Sequence, residues 1–487
     1  MNRLSLFLIA LVSCMVALPV VADVPRPKPN IVFIFADDWG WGDLSCHGNT
    51  WLKTPNLDQF ASEGIDFAQF NVLNPVCSPS RAALMTGLYP ARFCIHQHFA
   101  TPAQNHARNM PDWLDPQAVT LPRLLKQAGY KTGHFGKWHL TNRETHGAPK
   151  PEAYGYDEAA VFNGGAEWPS VDLHATAPNT AAFIKANKDK PFFINVWLHE
   201  SHTPHVPTKE SMEKWKHLDE QKQVYAAVIT DGDDAVGLIL DALKEAGVED
   251  NTLVLFSSDN GPESTGTQKG FAAKDDHTGS QGYGTYYSIG DTGGLRGRKR
   301  SLFEGGVRVP FLVRWPNGVP AGTKNETTVL TAVDMLPTLC SAAGVTLPEG
   351  YASDGENLFD ALSGEVVSRT RPIFWEWRGT VREPDWWPRL AVRDGDWKLA
   401  IANEPGRAEL YRLSDDRGEA RDMAAEHPEI VARLSTMAAE WVKALPASPA
   451  EACIDRSGRA RSPSRKQGVS ARQGSGTSVV DPPAEAR

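Results

Sequence analysis

Cysteine is scarce in this chain, which has six cysteines among 487 residues. So few, widely scattered, cannot form a disulfide scaffold, and a chain of this length can bury enough apolar surface to fold without one. A single bridge is compatible with the sequence, which does not identify its partners. The six positions are Cys14, Cys46, Cys77, Cys94, Cys340 and Cys453.

Long apolar runs are also lacking, except at the N-terminus. Arg3 is followed by a largely apolar stretch over residues 4–21, and Ala22 ends a run of small residues suited to cleavage. We therefore predict that residues 1–22 are a signal peptide and that the protein is exported, to the periplasm or the medium. Alternatives are a membrane anchor, for which the run is short and lacks a basic stop, and lipid attachment at Cys14. No later run is apolar enough for stable insertion into a membrane.

The body of the protein has no excess of positive charge. The whole chain has a net charge of −9, while residues 453–487 carry +4 and residues 1–22 carry +1, which leaves −14 for residues 23–452. An acidic body with a short basic tail argues against a nucleic-acid partner. An anionic substrate would have to be attracted by local cations.

Apolar runs typical of buried strands alternate with helical patterns along most of the chain. The runs cover residues 30–36, 191–198, 252–258 and, more briefly, 309–315. Helical patterns begin at Pro55, with Thr54 as N-cap, and cover residues 120–129 and 220–246, where Gly129 and Gly247 mark the ends. This alternation predicts an α/β fold with a large mixed, mostly parallel sheet sandwiched by helices.

The pattern changes near residue 366. Residues 389–393 and 397–401 flank a hairpin turn, residues 409–413 form another short strand, and residues 428–445 form an amphipathic helix. We predict a main domain over residues 23–365 and a smaller C-terminal domain of antiparallel sheet plus helix over residues 366–446. Residues 447–487 are rich in Ser, Arg, Gly, Pro and Gln and are predicted to be disordered.

Oxygen ligands follow two of the predicted strands. Asp37 and Asp38 end the first, and Asp259 and Asn260 end the strand at 252–258. Ligands bind at the carboxyl ends of parallel strands, and carboxylates with an amide, without thiolate or imidazole, favour Ca²⁺ or Mg²⁺. The alternative is that both pairs are local turn signals.

A Cys-Ser-Pro-Ser-Arg segment at residues 77–81 precedes a helical run. At a helix N-terminus Cys77 would meet backbone N–H groups and the positive end of the dipole, with Arg81 one turn further on. Nucleophile, disulfide partner and core thiol are the alternatives. Export disfavours a free reactive thiol, which would be exposed to oxidation.

Three more segments carry cations or histidines. We interpret residues 133–140 as a strand-end loop in which Lys137 and His139, two apart, project the same way as a cation and a base. His202 lies in a histidine-rich loop at residues 199–205, for which a zinc site or a plain surface loop are alternatives. Lys299 lies in the basic segment 295–300, whose alternative is a solvated turn.

In this order, over residues 28 to about 345, these segments resemble the type I sulfatases of the alkaline phosphatase superfamily. The resemblance implies that a maturation enzyme oxidises Cys77 to formylglycine (3-oxoalanine), which also contacts the metal, usually Ca²⁺. One hydroxyl of its hydrate would attack the sulfur of a sulfate ester and displace the alcohol. The second hydroxyl would then lose its proton and expel sulfate as the aldehyde re-forms. The implied metal ligands are Asp37, Asp38, Asp259 and Asn260.

The resemblance also assigns sulfate binding and proton transfer. His202 is preferred to its neighbours because it precedes Thr203-Pro204, whereas the family's glycines beside Lys299 are replaced by Arg298 and Arg300. His139 would take the proton in the second step. The assigned residues are Arg81, Lys137, His139, His202 and Lys299.

The resemblance implies a sulfated small molecule or saccharide as substrate, with N-acetylgalactosamine-6-sulfate and aryl sulfates as candidates. Residues 106–109 and several tryptophans suit a sulfated sugar, since aromatic faces stack on sugar rings, although core tryptophans are commoner. Two alternatives differ in class: a phosphate or phosphonate monoester hydrolase of the same superfamily, and a non-catalytic carbohydrate-binding homologue.

Overall fold

The computed structural model describes residues 28–271, 282–379, 384–402 and 406–457. The predicted signal peptide, the lipid site at Cys14 and residues 458–487 of the predicted tail lie outside these ranges. Among the residues that are described, no helix combines the length and apolar character needed to cross a membrane. The five cysteines in these ranges are all free thiols.

An eight-stranded sheet forms the centre of the fold, in the order β12-β2-β11-β7-β1-β6-β4-β5. Neighbours pair in parallel except for β11, which is antiparallel to both β7 and β2. This confirms the predicted mixed, mostly parallel sheet. The strands are β1 (Asn30–Ala36), β2 (Ile65–Phe67), β4 (Lys131–Lys137), β5 (Glu158–Phe162), β6 (Phe192–Trp197), β7 (Thr252–Ser258), β11 (Phe311–Arg314) and β12 (Thr323–Asn325).

Helices cover both faces of this sheet because successive side chains of β1 point to opposite sides. Ile31, Phe33 and Phe35 join one core with α2, α4 and α9, and the alternate residues join a second core with α1, α5 and α7. The helices are α1 (Pro55–Ser62), α2 (Cys77–Thr86), α3 (Pro102–Ala107), α4 (Leu121–Gln127), α5 (Thr176–Asn187), α6 (Lys209–Lys214), α7 (Glu220–Glu245), α8 (Glu304–Val307), α9 (Met335–Ala342), α10 (Phe359–Leu362) and α11 (Pro428–Lys443).

Two strand predictions need correction. The run at 309–315 is not one strand, because Pro310 has no N–H for a ladder; β10 (Arg308–Val309) instead joins β3 (Phe70–Asn71) and β13 (Leu330–Thr331) in a second small sheet. Residues 133–140, interpreted as a loop, belong largely to β4, a buried strand between β5 and β6. Two glycines hid this strand; a Cβ at Gly136 would lie 2.2 Å from the Trp197 carbonyl oxygen.

Helix ends follow the predictions with one exception. Gly129 and Gly247 adopt the left-handed conformation expected after α4 and α7, with φ of 90° and 69°. Thr54 precedes α1 but does not cap it, because its hydroxyl accepts the Ser45 N–H instead. The Asp233 carboxylate, from α7, accepts the first N–H groups of α1 at 2.9 and 3.0 Å.

The C-terminal domain is a four-stranded antiparallel sheet in the order β14-β15-β16-β17, as predicted from residue 366 onward. α11 packs on it and buries Leu434 and Ala438 against the sheet. Gly395, with φ of 60°, starts the tight β15–β16 turn. The strands are β14 (Ile373–Glu376), β15 (Leu390–Asp394), β16 (Trp397–Ile401) and β17 (Ala408–Arg412), and a separate ribbon pairs β8 (Gly270–Phe271) with β9 (Gly282–Tyr283).

The first eleven residues of the predicted disordered tail are folded. Asp112 N donates to Cys453 O at 2.7 Å, and Asp455 N donates to the Asp112 carboxylate at 2.7 Å. Cys453 is buried against Trp113 and Ala148. One small apolar anchor thus holds a segment whose composition is otherwise that of a disordered chain.

A buried ionic cluster joins the C-terminal domain to the main domain. Lys398 on β16 lies 2.8 Å from Glu304 on α8 and 3.0 Å from Glu419, and all three side chains are inaccessible to solvent. Burial raises the pKa of Glu419 to about 7. Burial alone would also raise the pKa of Glu304, but Lys398 and Arg308 outweigh it and lower the pKa to about 2. Lys398 thus contacts both buried acids across the domain junction, and Arg308 contacts Glu304 as well, at 3.6 Å.

We predict that Lys398→Met lowers the free energy of unfolding by about 3–5 kcal/mol, because it leaves buried carboxylates without their cation. Denaturant unfolding followed by circular dichroism measures this loss. Lys216→Met is the matched control, since Lys216 and its partner Glu213 are largely exposed and such pairs contribute little. Equal stability of the two variants would contradict the prediction.

Candidate active site

The candidate site lies at the carboxyl ends of four neighbouring strands, β7, β1, β6 and β4. Asp37 follows β1, Asp259 follows β7, Lys137 ends β4 and His199 comes shortly after β6. Parallel strands direct these ends to one edge of the sheet, where ligands bind in open α/β folds. The sheet therefore brings together residues more than 200 positions apart.

The four predicted oxygen ligands are fully buried and in contact. Asn260 Nδ2 donates to Asp38 Oδ1 at 2.6 Å, and Asp38 N donates to Asp259 Oδ1 at 3.3 Å. Among the described residues, Asp37 Oδ1 and Asn260 Oδ1 have no hydrogen-bond partner. Unsatisfied buried oxygens cost free energy, and a hard cation would satisfy both. The donor set thus fits Ca²⁺ or Mg²⁺.

His202 adds a nitrogen to this group. Ligand atoms of Asp37, Asp38 and His202 lie within 4.8 Å of one another. His202 Nδ1 lies 2.6 Å from Thr203 O, which only accepts, so Nδ1 carries the proton. The unprotonated Nε2 lies 3.9 Å from Asp38 Oδ2 and can meet a cation or a proton. The geometry therefore widens the oxygen-only set predicted from the sequence.

Each carboxylate of the site has a basic partner. Lys137 Nζ donates to Asp37 Oδ2. Arg81 Nη2 lies 2.6 Å from Asp259 Oδ2 and 3.3 Å from Asp37 Oδ2. Lys299 Nζ donates to Asp38 Oδ2 at 2.6 Å. Arg81 also lies 4.8 Å from the centre of the Trp197 ring, and in the described ranges its Nε and Nη1 have no acceptor.

Burial and mutual repulsion separate the pKa values of the three carboxyl groups. Burial raises the pKa of Asp38 to about 6 and that of Asp259 well above its ordinary value. Burial also acts to raise the pKa of Asp37, but Lys137, His202 and Arg81 together hold it well below the usual range. A divalent cation would favour the ionised form of all three.

Cys77 is the first residue of α2, and its side chain is 3 % exposed. Its Sγ lies 3.1 Å from His139 Nδ1, and His139 Nε2 lies 3.0 Å from Phe99 O. Because a carbonyl only accepts, Nε2 carries the proton and Nδ1 presents its lone pair to residue 77. Burial, reinforced by Lys137, lowers the pKa of His139 well below its usual value. His139 is therefore a neutral base facing Cys77.

The backbone is strained at three positions of the site. Asp38, His139 and Arg300 adopt left-handed conformations with φ of 61°, 49° and 72°, which cost free energy for residues other than glycine. The prediction that Lys137 and His139 share an extended segment is therefore wrong. They reach the site because the chain turns at His139 directly after β4.

Lys299 lacks the flanking glycines of the resembling family, but its loop, residues 295–300, is held by contacts on both sides. Arg300 takes the left-handed conformation where the resembling family has glycine, and it binds Glu263 at 2.8 Å. Glu263 Oε2 also lies 3.4 Å from Lys299 Nζ. Glu263 was missed; its only signal was an acid four residues after Asp259.

Arg296 anchors the other side of the same loop on the C-terminal domain. Its guanidinium lies 3.0 Å from Asp385, 2.9 Å from Glu409 and 2.6 Å from the Tyr411 hydroxyl. On the other side of Lys299, Glu304 binds Lys398 of the C-terminal domain. This domain therefore contacts the chain both before and after Lys299. The position of an active-site cation therefore depends on a domain that supplies none of the predicted site residues.

Three other histidines lie near the site, and only one of them contacts a predicted metal ligand. His199, set aside in favour of His202, donates from Nδ1 to Asp37 Oδ2 at 2.8 Å and orients that carboxylate. His205 lies 3.1 Å from Ser288 Oγ and joins no part of the carboxylate cluster. His98, which no motif indicated, has its ring centre 6.2 Å from that of His139.

A buried residue that faces a neutral base, among balanced carboxylates and cations at the ends of parallel strands, is typical of an enzyme site for anionic substrates. Residues 29–345 match the protein family described as Sulfatase, and residues 297–443 match the one described as N-sulphoglucosamine sulphohydrolase, C-terminal. The chain belongs to the Sulfatase family and is a sulfuric ester hydrolase.

Curated relatives agree with this assignment. Human arylsulfatase A is 31% identical over 87% of this chain and 84% of its own length. Human N-acetylgalactosamine-6-sulfatase is 33% identical over 72% of this chain and 68% of its own. N-acetylgalactosamine-6-O-sulfatase of Bacteroides thetaiotaomicron is 27% identical over 84% of this chain and 92% of its own.

Solved structures show the same fold. The crystal structure of Ps i-CgsB in complex with k-i-k-neocarrahexaose superposes with a TM-score of 0.71 at 26% identity, over 85% of this chain and 93% of its own. A structure solved in work on the metabolism of multiple glycosaminoglycans by Bacteroides thetaiotaomicron has a TM-score of 0.69 at 26% identity, over 85% and 99% of the two chains.

We predict that Arg296→Met lowers kcat for sulfate-ester hydrolysis by roughly 10- to 100-fold, because small displacements of a positioned group have effects of this size. Steady-state kinetics with a chromogenic aryl sulfate measures it. The matched control is Arg412→Met in the same sheet, where Arg412 is exposed, pairs with Asp415 and lies 6.0 Å from the centre of the Trp397 ring. An unchanged kcat in Arg296→Met would show that the anchor does not position Lys299.

Proposed function

We propose that this protein hydrolyses a sulfate monoester of a carbohydrate, with Cys77 oxidised to formylglycine as the source of the nucleophile. The observation that carries the proposal is the position of Cys77 at the start of α2, with its Sγ 3.1 Å from the unprotonated Nδ1 of His139. The buried carboxylates and cations around residue 77 suit an oxygen nucleophile that attacks an anionic ester, because preorganised donors stabilise the charge that develops in the transition state.

We further propose that Asp37, Asp38, Asp259 and Asn260 hold one Ca²⁺, next to residue 77. The two unsatisfied oxygens and the oxygen atoms of these four side chains support this. The hydrated aldehyde would supply the attacking hydroxyl group, and the cation would supply positive charge beside it.

Lys137 and Arg81 are the proposed sulfate-binding residues. Both are buried, and the Nε and Nη1 donors of Arg81 have no acceptor among the described residues. Their charge and direction are fixed before substrate binds, because Asp37 and Asp259 hold them in place. Preorganised donors of this kind stabilise charge that develops in the transition state.

Proton transfer is assigned to three residues. His139 Nδ1 faces residue 77 and can remove a proton from a hydroxyl group there. Lys299 Nζ and His202 Nε2 both lie beside Asp38 Oδ2, at 2.6 and 3.9 Å. We propose that Lys299 stabilises the departing alcohol oxygen by its charge, and that His202 delivers a proton to that oxygen once Nε2 has itself been protonated.

The carbohydrate substrate is supported by the relatives, of which several are N-acetylgalactosamine-6-sulfatases. The arylsulfatase relatives keep aryl sulfates as the second candidate. Initial rates on a panel of sulfated mono- and oligosaccharides, an aryl sulfate and a phosphate monoester test this. We expect the highest kcat/KM on a sulfated saccharide; a strong preference for the phosphate ester would overturn the proposal.

Cys77 should be converted when the chain is co-expressed with a formylglycine-generating enzyme. Mass spectrometry of the peptide that contains residue 77 should show CHO in place of CH₂SH, and turnover should track the converted fraction. Cys77→Ala should have no activity. Cys77→Ser can accept the sulfuryl group but has no internal route to release it, so it should not turn over. Full activity of Cys77→Ala would contradict the formylglycine assignment.

Calcium should stabilise the protein independently of activity. After dialysis against a chelator, added Ca²⁺ at 100 times its Kd should raise the unfolding free energy by about 2.7 kcal/mol, which thermal unfolding detects. Asp37→Asn and Asn260→Ala should weaken this response. The exposed Asp415→Asn is the matched control and should retain it. No Ca²⁺-dependent shift in the wild type would refute a calcium site.

A further inference from the structure

Arg108 is a cation near the candidate site that no acid of the described residues neutralises. It follows α3, is partly buried, and its burial lowers its pKa. Its only side-chain hydrogen bond to the described residues runs from Nη1 to His98 O, at 3.5 Å. The inner cations differ, because Arg81, Lys137, Lys299 and Arg300 each contact a carboxylate.

His98 connects Arg108 to the reacting residue. Its ring centre lies 6.2 Å from that of His139, whose Nδ1 lies 3.1 Å from Cys77 Sγ. The His98 ring makes no hydrogen bond within the described ranges and is partly accessible, whereas His139 behind it is buried. Burial, with the nearby His139 and Arg108, lowers the pKa of His98, so the ring is neutral. Arg108 and His98 thus lie beside the base that faces residue 77.

Lack of an acid partner does not by itself make an arginine available. Arg298 also lacks one in the described part of the chain, but its guanidinium donates to Glu263 O at 3.0 Å and to Gly290 O at 3.2 Å. Arg298 is therefore satisfied by backbone carbonyls. Arg108 makes one long hydrogen bond to the described residues, which leaves most of its N–H donors for a ligand.

We infer that Arg108, assisted by His98, binds a second anionic group of the substrate, either a carboxylate or a further sulfate on the same or the adjoining sugar. The guanidinium fork matches both oxyanions in a bidentate geometry, and partial burial strengthens such a pair. A neutral imidazole can donate to the same group or to a sugar hydroxyl. The inference rests on the proposed function and narrows it to polyanionic saccharides.

The test compares substrates that share one scissile group, N-acetylgalactosamine 6-sulfate. The three are the free monosaccharide, its 4,6-disulfate, and a disaccharide with a neighbouring uronate; 4-nitrophenyl sulfate serves as a non-carbohydrate reference. kcat/KM is measured for the wild-type enzyme, Arg108→Gln and Arg108→Lys. Arg433→Gln is the control, since Arg433 lies on α11 and pairs with Asp394 of the C-terminal sheet.

We expect the wild type to prefer one of the dianionic substrates over the monosaccharide. Arg108→Gln should reduce that preference roughly 10- to 100-fold, the range for a hydrogen-bonded charge, mainly through KM. Arg108→Lys should recover part of it, and Arg433→Gln should keep it. Whichever dianionic substrate loses its advantage identifies the second anion as sulfate or carboxylate.

Failure of this inference is distinct from failure of the proposed function. If the saccharides are hydrolysed but Arg108→Gln lowers all rates equally, or the wild type has no preference, the second anion site is refuted while the sulfatase proposal stands. If only the aryl sulfate is hydrolysed, both the carbohydrate assignment and the second anion site are wrong.

Discussion

Charge balance inside a site buried from solvent is the constraint on which the rest of this structure depends. Asp37, Asp38 and Asp259 are fully buried, and each contacts Lys137, Lys299 or Arg81. Removing one member would leave an uncompensated buried charge, which costs several kcal/mol. The site can therefore form only if strands β1, β4 and β7 and the Lys299 loop are all in register. Folding and assembly of the catalytic charges are one event.

This constraint explains why the C-terminal domain is needed. The Lys299 loop contains a strained residue, Arg300, and such strain persists only where the surroundings over-determine it. Those surroundings are Glu263 in the main domain and the Arg296 and Glu304 contacts to the C-terminal domain. The overlap of the two family matches, which both include residues 297–345, reflects the same fact. The loop belongs structurally to both domains.

What the sequence predicts well is what depends on local pattern. Apolar runs located β1, β6 and β7. The polar residues directly after β1 and β7, which we predict to be oxygen ligands, meet at one edge of the sheet because the strands are parallel. Contacts that depend on tertiary proximity were missed. Glu263 and His199 carry no periodic signal, Asp233 replaces Thr54 as the cap of α1 from a distant helix, and the glycine-containing β4 is a strand only because β5 and β6 enclose it.

Charge balance also distinguishes the inner cations of the site from Arg108, the residue that we propose distinguishes substrates. The inner cations are neutralised by the protein's own carboxylates, so under the proposed function they would bind one sulfuryl group without favouring a highly charged molecule. The body as a whole is acidic and repels polyanions at long range, although salt screens this repulsion beyond about 8–10 Å. Selectivity for a polyanion then requires a cation close to the site that no acid of the described chain neutralises. Arg108 has that property. It lies on a loop and contacts none of the buried aspartates, so a different residue at this position would not disturb the fold.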